Sequence, residues 1–310
     1  MKKKLFAAIV AAITASMMIL SGCGKEKSVE SKKIVFGTLP AESAIPIIVA
    51  KEKGFFEKQG VEVELQAFNS PFDRDAAVQA GKIDGIIADV MTSLVYHNAG
   101  VGMKVTSDIN EDFKLLTSPK SGIDSFDKLN NKDVSIVPNY VLEYIMDEMA
   151  AKNNIKYKIV TIPSISARFE ALLADKVSAV VFTEPQSTML KQRGAKVLAS
   201  SKEYGLKAGA ILFNEKTIQE NSNGVKEFYA AYNEAIDYIN KTDASEYSDI
   251  LKKYTFPDSV TQYLKGEAKY SKAEKITEDT FKSVMKWTRN KNLISKEFKF
   301  QDISDFKFIK

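Results

Sequence analysis

Cysteine is almost absent: Cys23 is the only one in a chain of 310 residues. A single cysteine excludes an intramolecular disulfide framework. Histidine and tryptophan are as scarce, His97 and Trp287 each being alone of its kind. One histidine and one cysteine fall short of nearly every zinc ligand set. They leave no well-placed base for a Ser-His-Asp arrangement, and neither Gly-x-Ser-x-Gly nor a P-loop occurs. A glycosidase cleft would be rich in tryptophan, which this chain is not. Excess charge is missing too. The formal charge is +4, and it falls to +1 once Lys2, Lys3 and Lys4 are set aside. Nucleic acid as a partner calls for a concentrated basic surface, and a near-neutral body excludes it. Beyond the N-terminal segment, no apolar run approaches the ~20 residues of a membrane span. The expectation is a protein that is not an enzyme and holds no metal and no cofactor.

The N-terminus carries the clearest positive signal. Met1-Lys-Lys-Lys is followed by an apolar run from Leu5 to Leu20 and then by Ser21-Gly22-Cys23. A basic start and a short apolar stretch read as a secretory signal over residues 1–22. Leu20-Ser-Gly-Cys resembles the lipobox of bacterial lipoproteins. That resemblance implies cleavage before Cys23, lipidation of its sulfur, and attachment to the extracytoplasmic face of the cell membrane. More than one acyl chain anchors firmly. Residues 24–33 are rich in Lys, Glu and Ser and have Val29 as their one apolar residue. Such a stretch cannot form a core, so residues 23–33 are expected to be a flexible tether.

From Ile34 onward, short β-rich runs alternate with helical patterns, the signature of an α/β fold. Ile34–Gly37, Val61–Leu65 and Gly85–Ala88 read as strands, with helices over 43–53 and 74–80 between them. The order then recurs, with strands at Val134–Val137 and Lys158–Ile162 and a helix over 140–152. The segment from Arg74 to Ile87 aligns without a gap on Arg168 to Val181, with Arg, Ala, Ala and Lys identical. Two similar lobes follow from this duplication. Leu115–Pro119 reads as a strand crossing to the second lobe and Ala210–Asn214 as one crossing back. Expected boundaries are 34–118 plus 208–310 for the first lobe and 119–207 for the second. Val225, Phe228, Tyr229, Tyr232, Ile236 and Ile239 share one helical face. A last helix should begin at Glu278, with Thr277 as N-cap and Ile276 and Phe281 as a hydrophobic staple. Both helices are expected to pack on the first lobe.

Phe36-Gly-Thr-Leu-Pro, Ala50-Lys-Glu-Lys-Gly-Phe-Phe-Glu-Lys-Gln-Gly-Val-Glu-Val-Glu-Leu and Ala80-Gly-Lys-Ile-Asp-Gly resemble the extracellular solute-binding proteins of ABC importers. The nitrate, sulfonate, taurine and thiamine-precursor binding group is the most similar. Ser121-Gly-Ile-Asp-Ser-Phe-Asp-Lys-Leu, Thr183-Glu-Pro and Gly194-Ala-Lys-Val-Leu extend the likeness over nearly all of the chain after the signal. Asn130-Asn131-Lys132 departs from the pattern, where such proteins often have Gly before Lys. The resemblance implies a two-lobed type II periplasmic-binding-protein fold with two hinge strands. It implies a small-molecule solute as ligand, and a permease with its ATPase subunits as partners of a monomer. A solute receptor for a membrane sensor is the alternative. One relative of the fold is the yeast-type pyrimidine synthase. Its family carries a cysteine-rich motif and a reactive histidine that this chain does not match.

In open α/β sheets, ligands bind beyond the carboxyl ends of strands, near helix N-termini. This rule selects Thr38, Leu39, Pro40 and Glu42 after the first strand, although Glu42 or Ser43 could instead cap a helix. It selects Asn69 and Ser70, with Phe72 either stacking on a flat ligand or belonging to the core. Asp89 is either a ligand contact or the N-cap of a helix over 91–97. In the second lobe the candidates are Asn139 and Tyr140, then Thr183 and Glu184, with Ser164–Ser166 a weaker choice. The carboxylates of Glu42, Asp89 and Glu184 favour a ligand with N–H donors, such as a pyrimidine or another nitrogen heterocycle. Arg74 and Arg168 keep an anion such as a sulfonate or a taurine-like compound open, though their matching places also fit a structural role at each helix start.

Overall fold

The computed structural model describes residues 33–266 and 269–309. The signal over 1–22, the tether apart from Lys33, and Cys23 lie outside the described residues. In the first half the elements are β1 (Ile34–Thr38), α1 (Ile45–Glu52), β2 (Val63–Ala67), α2 (Pro71–Gln79), β3 (Gly85–Asp89), α3 (Val90–Asn98) and β4 (Met103–Asp108). Next come β5 (Lys114–Thr117), β6 (Asp133–Ile136), α4 (Val141–Lys152), β7 (Lys158–Thr161), α5 (Ile165–Leu173), β8 (Ala179–Phe182), α6 (Gln186–Gln192) and β9 (Lys196–Ser200). The chain ends with β10 (Gly209–Asn214), α7 (Ser222–Lys241) and α8 (Glu278–Asn290), followed by the short helix Phe300–Ile303.

These strands form two five-stranded sheets, ordered β2-β1-β3-β10-β4 and β7-β6-β8-β5-β9. The orders are superimposable, β1 corresponding to β6, β2 to β7, β3 to β8 and β4 to β9. In each sheet the fourth strand runs antiparallel to both neighbours. The duplication extends to a register shift, at Ile211/Leu212 in one sheet and Leu115/Leu116 in the other. Each sheet thus receives its antiparallel strand just after the chain has crossed from the other. One expectation needs correction here. The sequence placed the outward crossing on Leu115–Pro119 and counted 114–118 with the first lobe. Those residues pair within the second sheet, so the crossing lies upstream, over 109–113. A buried apolar strand reads the same in either sheet, and only its partners distinguish the two.

Local chemistry explains the frame. Gly85 faces Phe36 and Phe213, and a Cβ there would meet both rings at 2.8 Å. Phe228 on α7 stacks on Phe36 at 4.9 Å and on Phe56 at 5.2 Å, which fastens this helix to the first sheet. Its apolar face, from Val225 to Ile239, is buried as its spacing requires. Thr277 caps α8 by accepting from the Thr280 N–H.

Helix α8 does more than cover the first sheet. Its Trp287 indole N–H donates to Asp147 on α4, Lys291 pairs with Glu143 at 2.6 Å, and Tyr144 meets Ser283 at 2.9 Å. One apolar cluster accordingly holds Ile86 and Leu212 of the first sheet, Val134 and Val181 of the second, and Val284 and Trp287 of α8. Trp287→Phe removes the indole hydrogen bond and part of a buried bicyclic ring, so it should lower stability by about 2 kcal/mol. An unchanged thermal midpoint would show that neither the indole bond nor its packing adds to this strap.

Candidate functional site

Between the two sheets lies a cavity of about 110 Å³. Its walls come from both sides. Leu39 and Pro40 follow β1, Pro71 and Arg74 open α2, and Asp89 ends β3. Tyr140 and Val141 open α4, Ile165 and Arg168 open α5, and Thr183 follows β8. The lining is mostly apolar, with Ile87, Ile109, Phe113, Val181 and Phe182 among it. Strand ends and helix N-termini from two similar units therefore converge on one small cleft, the arrangement expected beyond the carboxyl ends of strands.

Contacts across the gap hold it shut. The Tyr140 hydroxyl donates to Asp75 Oδ2 at 2.7 Å, and the Val141 N–H approaches Asp89 Oδ2 at 3.3 Å. On another side, Gln186 Nε2 donates to the Pro40 carbonyl at 2.8 Å and the Glu42 N–H donates to the Glu184 carbonyl at 2.8 Å.

The eleven sequence candidates separate into groups. Leu39, Pro40, Asp89, Tyr140 and Thr183 line the cavity. Asp89 also caps α3 by accepting from the Thr92 N–H at 2.7 Å. Glu42 and Glu184 are buried behind the lining. Glu42 accepts from the Asp112 N–H at 2.7 Å and from the Tyr263 hydroxyl. Glu184 pairs with Lys114 at 2.5 Å and accepts from the Thr188 N–H at 2.9 Å. Thr38 accepts from the Phe68 N–H through its carbonyl. Ser70 caps α2, and the Asn69 carbonyl accepts from the Ile165 N–H at 3.4 Å across the gap. Asn139 adopts a left-handed φ of 70° and borders an adjoining open groove with Phe72 and Asp75.

Three further charged residues stand in the lining: Arg74, Arg168 and Glu111. The two arginines were visible as matching members of the repeat but read equally well as helix-start residues. Glu111 gave no signal, since Asn110-Glu111-Asp112 is an ordinary polar connection. Burial pushes the Glu111 carboxyl well above its usual range, and the negative charges of Glu42 and Asp89 add to the shift. Asp89 is also raised by burial, with the Arg74 charge opposing. For Arg74, burial works against the cation, yet the Asp75 and Asp89 charges outweigh it and the net shift is upward.

The comparisons with known proteins agree with this geometry. Residues 42–244 match the family described as NMT1/THI5 like. The chain belongs to that family. The chain is 26% identical over 258 residues to the 4-amino-5-hydroxymethyl-2-methylpyrimidine phosphate synthase THI11 of Saccharomyces cerevisiae, covering 75% of this chain and 74% of the other. Among solved structures, the alkanesulfonate-binding protein SsuA of Xanthomonas axonopodis pv. citri, bound to MOPS, superimposes with a TM-score of 0.75 at 17% identity, covering 87% of this chain and 96% of that one. The periplasmic nitrate-binding protein NrtA of Synechocystis PCC 6803 gives a TM-score of 0.66 at 17% identity, covering 80% and 74%. The two-lobed periplasmic-binding-protein fold expected from sequence is the fold of this family member.

Proposed function

We propose that this chain is the lipid-anchored substrate-binding protein of an ABC importer. It captures a small organic solute between its two sheets on the outer face of the cell membrane and delivers it to a permease. The observation that carries this reading is the cavity whose walls come from both halves of a duplicated fold and meet through hydrogen bonds across a gap. A solute touching both walls favours the closed arrangement by its differential affinity, and the closed form is the one a permease would recognise. A pyrimidine-type heterocycle and a sulfonate are both within reach of such a site.

The synthase name of the yeast relative raises catalysis as a second reading. His97 stands at the end of α3, its Nδ1 2.9 Å from the Ser93 carbonyl, and it is not part of the cavity. Among the described residues, no lysine lines the cavity either. The walls carry hydroxyls and carboxylates but neither an imidazole nor a lysine to activate them, which favours capture over chemistry.

Protein purified natively from its own membranes should carry a small organic molecule detectable by native mass spectrometry. Stripped of it, the protein should change its Trp287 emission when the solute returns, because the indole sits on the contact between α8 and α4. No bound solute, and no emission change with any member of a metabolite library, would sink the reading. The anchor is tested apart: Cys23→Ala should move the protein from the membrane fraction to the medium. Retention on the membrane would contradict lipidation at Cys23.

A further inference from the structure

The two arginines of the cavity are an internal controlled comparison. Arg74 and Arg168 are each the fourth residue of a nine-residue helix, α2 and α5, and each helix is capped by a serine, Ser70 and Ser164. Each arginine is buried, and each donates from Nη1 to a main-chain carbonyl, that of Ile87 at 2.8 Å and that of Ile162 at 2.9 Å. Their surroundings then diverge. Arg74 is followed by Asp75, whose Oδ1 accepts from Arg74 Nε at 2.7 Å and completes an ion pair. The corresponding residue after Arg168 is Phe169, also buried.

No carboxylate takes its place. Among the described residues, Arg168 makes no ion pair, its guanidinium lies over the Phe182 ring at 4.6 Å, and its buried Nε has no hydrogen-bond partner. Burial alone lowers its pKa to about 10, with no neighbouring charge acting in the opposite sense. A guanidinium stays charged at neutral pH, and a buried charge without a counter-ion is a costly arrangement. The first half of the molecule shows what completes this cation: an oxyanion at hydrogen-bond distance. In the second half the chain supplies none, while the same arginine lines a ligand-sized space.

We propose that Arg168 is the anchor for the head group of the solute, and that this head group carries a single negative charge, as a sulfonate or a carboxylate does. The inference rests on the solute-binding reading and narrows its substrate class. The first turn of α5 assists, since a helix N-terminus favours an anion. Glu111 and Asp89, on the same lining, disfavour a second negative charge. The remaining walls are apolar and take a short aliphatic or small cyclic body. The cavity volume is of the order that accommodates benzene in a dry protein interior, about 150 Å³.

The test uses the full-length protein and four compounds of similar size: butanesulfonate, butyrate, neutral butyramide and the dianion succinate. Calorimetry should find at least one of the two monoanions bound about 30-fold or more tightly than butyramide, the scale expected when one partner of a buried charge pair is missing. The difference between the two monoanions identifies the head group. Succinate should bind more weakly than the better monoanion. Arg168→Gln should abolish the preference for the monoanion over butyramide and leave the thermal midpoint of the empty protein unchanged or higher, because an unpaired buried charge has been removed. Arg168→Lys, which keeps the charge and loses the fork, should recover part of the preference.

Equal binding of butyramide, tighter binding of succinate, or an Arg168→Gln protein that keeps the preference would each overturn the proposal. A lower midpoint in Arg168→Gln would assign the arginine to structure and overturn it as well. Binding of none of the four compounds overturns the head-group assignment but not the capture reading, which stands or falls on the natively bound solute.

Discussion

Glu184→Ala should destabilise the protein by about 3 kcal/mol or more, the range for removing one member of a buried ion pair. Glu184 has 1% of its side chain exposed and Lys114 has 12%, with Oε1 and Nζ 2.5 Å apart. The other oxygen, Oε2, accepts from the Thr188 N–H at 2.9 Å and so holds the first turn of α6. Alanine removes both contacts and takes away the carboxylate with the largest effect on the Lys114 ammonium. The main chain of the same residue accepts from Glu42 across the gap, so the damage falls where the two halves meet. Solute affinity should fall only through this loss of order, because Glu184 does not line the cavity. Urea denaturation should move to a lower midpoint with an unchanged slope. Glu184→Gln keeps an acceptor for Thr188 and should lose less. A midpoint equal to that of the unaltered protein would show that the Glu184–Lys114 pair contributes no net stability.

Stability should also fall as the pH rises from about 4.5 to about 7. Burial pushes the Glu42 carboxyl from its ordinary 4.5 up to about 7, despite the hydrogen bonds from Tyr263 and the Asp112 N–H that favour its charged form. The neighbouring Glu184 carboxylate raises it further and Lys114 opposes. Because the folded value is above the unfolded one, the folded state holds a proton that the unfolded state releases. Its contribution is fully present below about 4.5 and is lost as the pH passes through about 7. For Glu42 alone the swing is on the order of 3 kcal/mol. Asp89, Asp108 and Glu111 are raised by burial as well and act in the same direction. The carboxylates lowered by ion pairs, among them Glu52, Glu57, Asp124 and Glu234, lie near the surface, where such pairs are worth little. Urea midpoints between pH 5 and pH 8 should therefore decline, and Glu42→Gln should flatten part of the slope. A midpoint that rises over this window, or an unaltered slope in Glu42→Gln, would refute the assignment.

These two carboxylates also show how far a linear reading reaches. Glu42 and Glu184 were selected because each follows a strand, and both do lie at the meeting of the two halves. What the side chains contact is another matter. Glu42 meets Tyr263, a residue 221 positions away, and Glu184 meets Lys114, 70 positions away. No local pattern encodes such partners. The lining residues Leu39, Asp89 and Tyr140 were legible because the end of a strand before a helix is a local pattern. Glu111 was not, since it lies in a crossing segment and enters the lining only when two sheets close around it.

The sequence by itself determined the α/β order, the duplicated unit, the amphipathic face of α7 and the capped start of α8, because strand alternation, helical spacing and caps are properties of neighbouring residues. It also brought out the paired arginines, since the repeat aligns without a gap. Only the tertiary structure decided that β5 belongs to the second sheet and that α8 straps the two halves together. Only it distinguished Arg74, neutralised by Asp75, from Arg168, which has no carboxylate beside it. The physical reason is the same in each case: hydrogen-bonding of strands, burial and counter-charge depend on which distant segments meet.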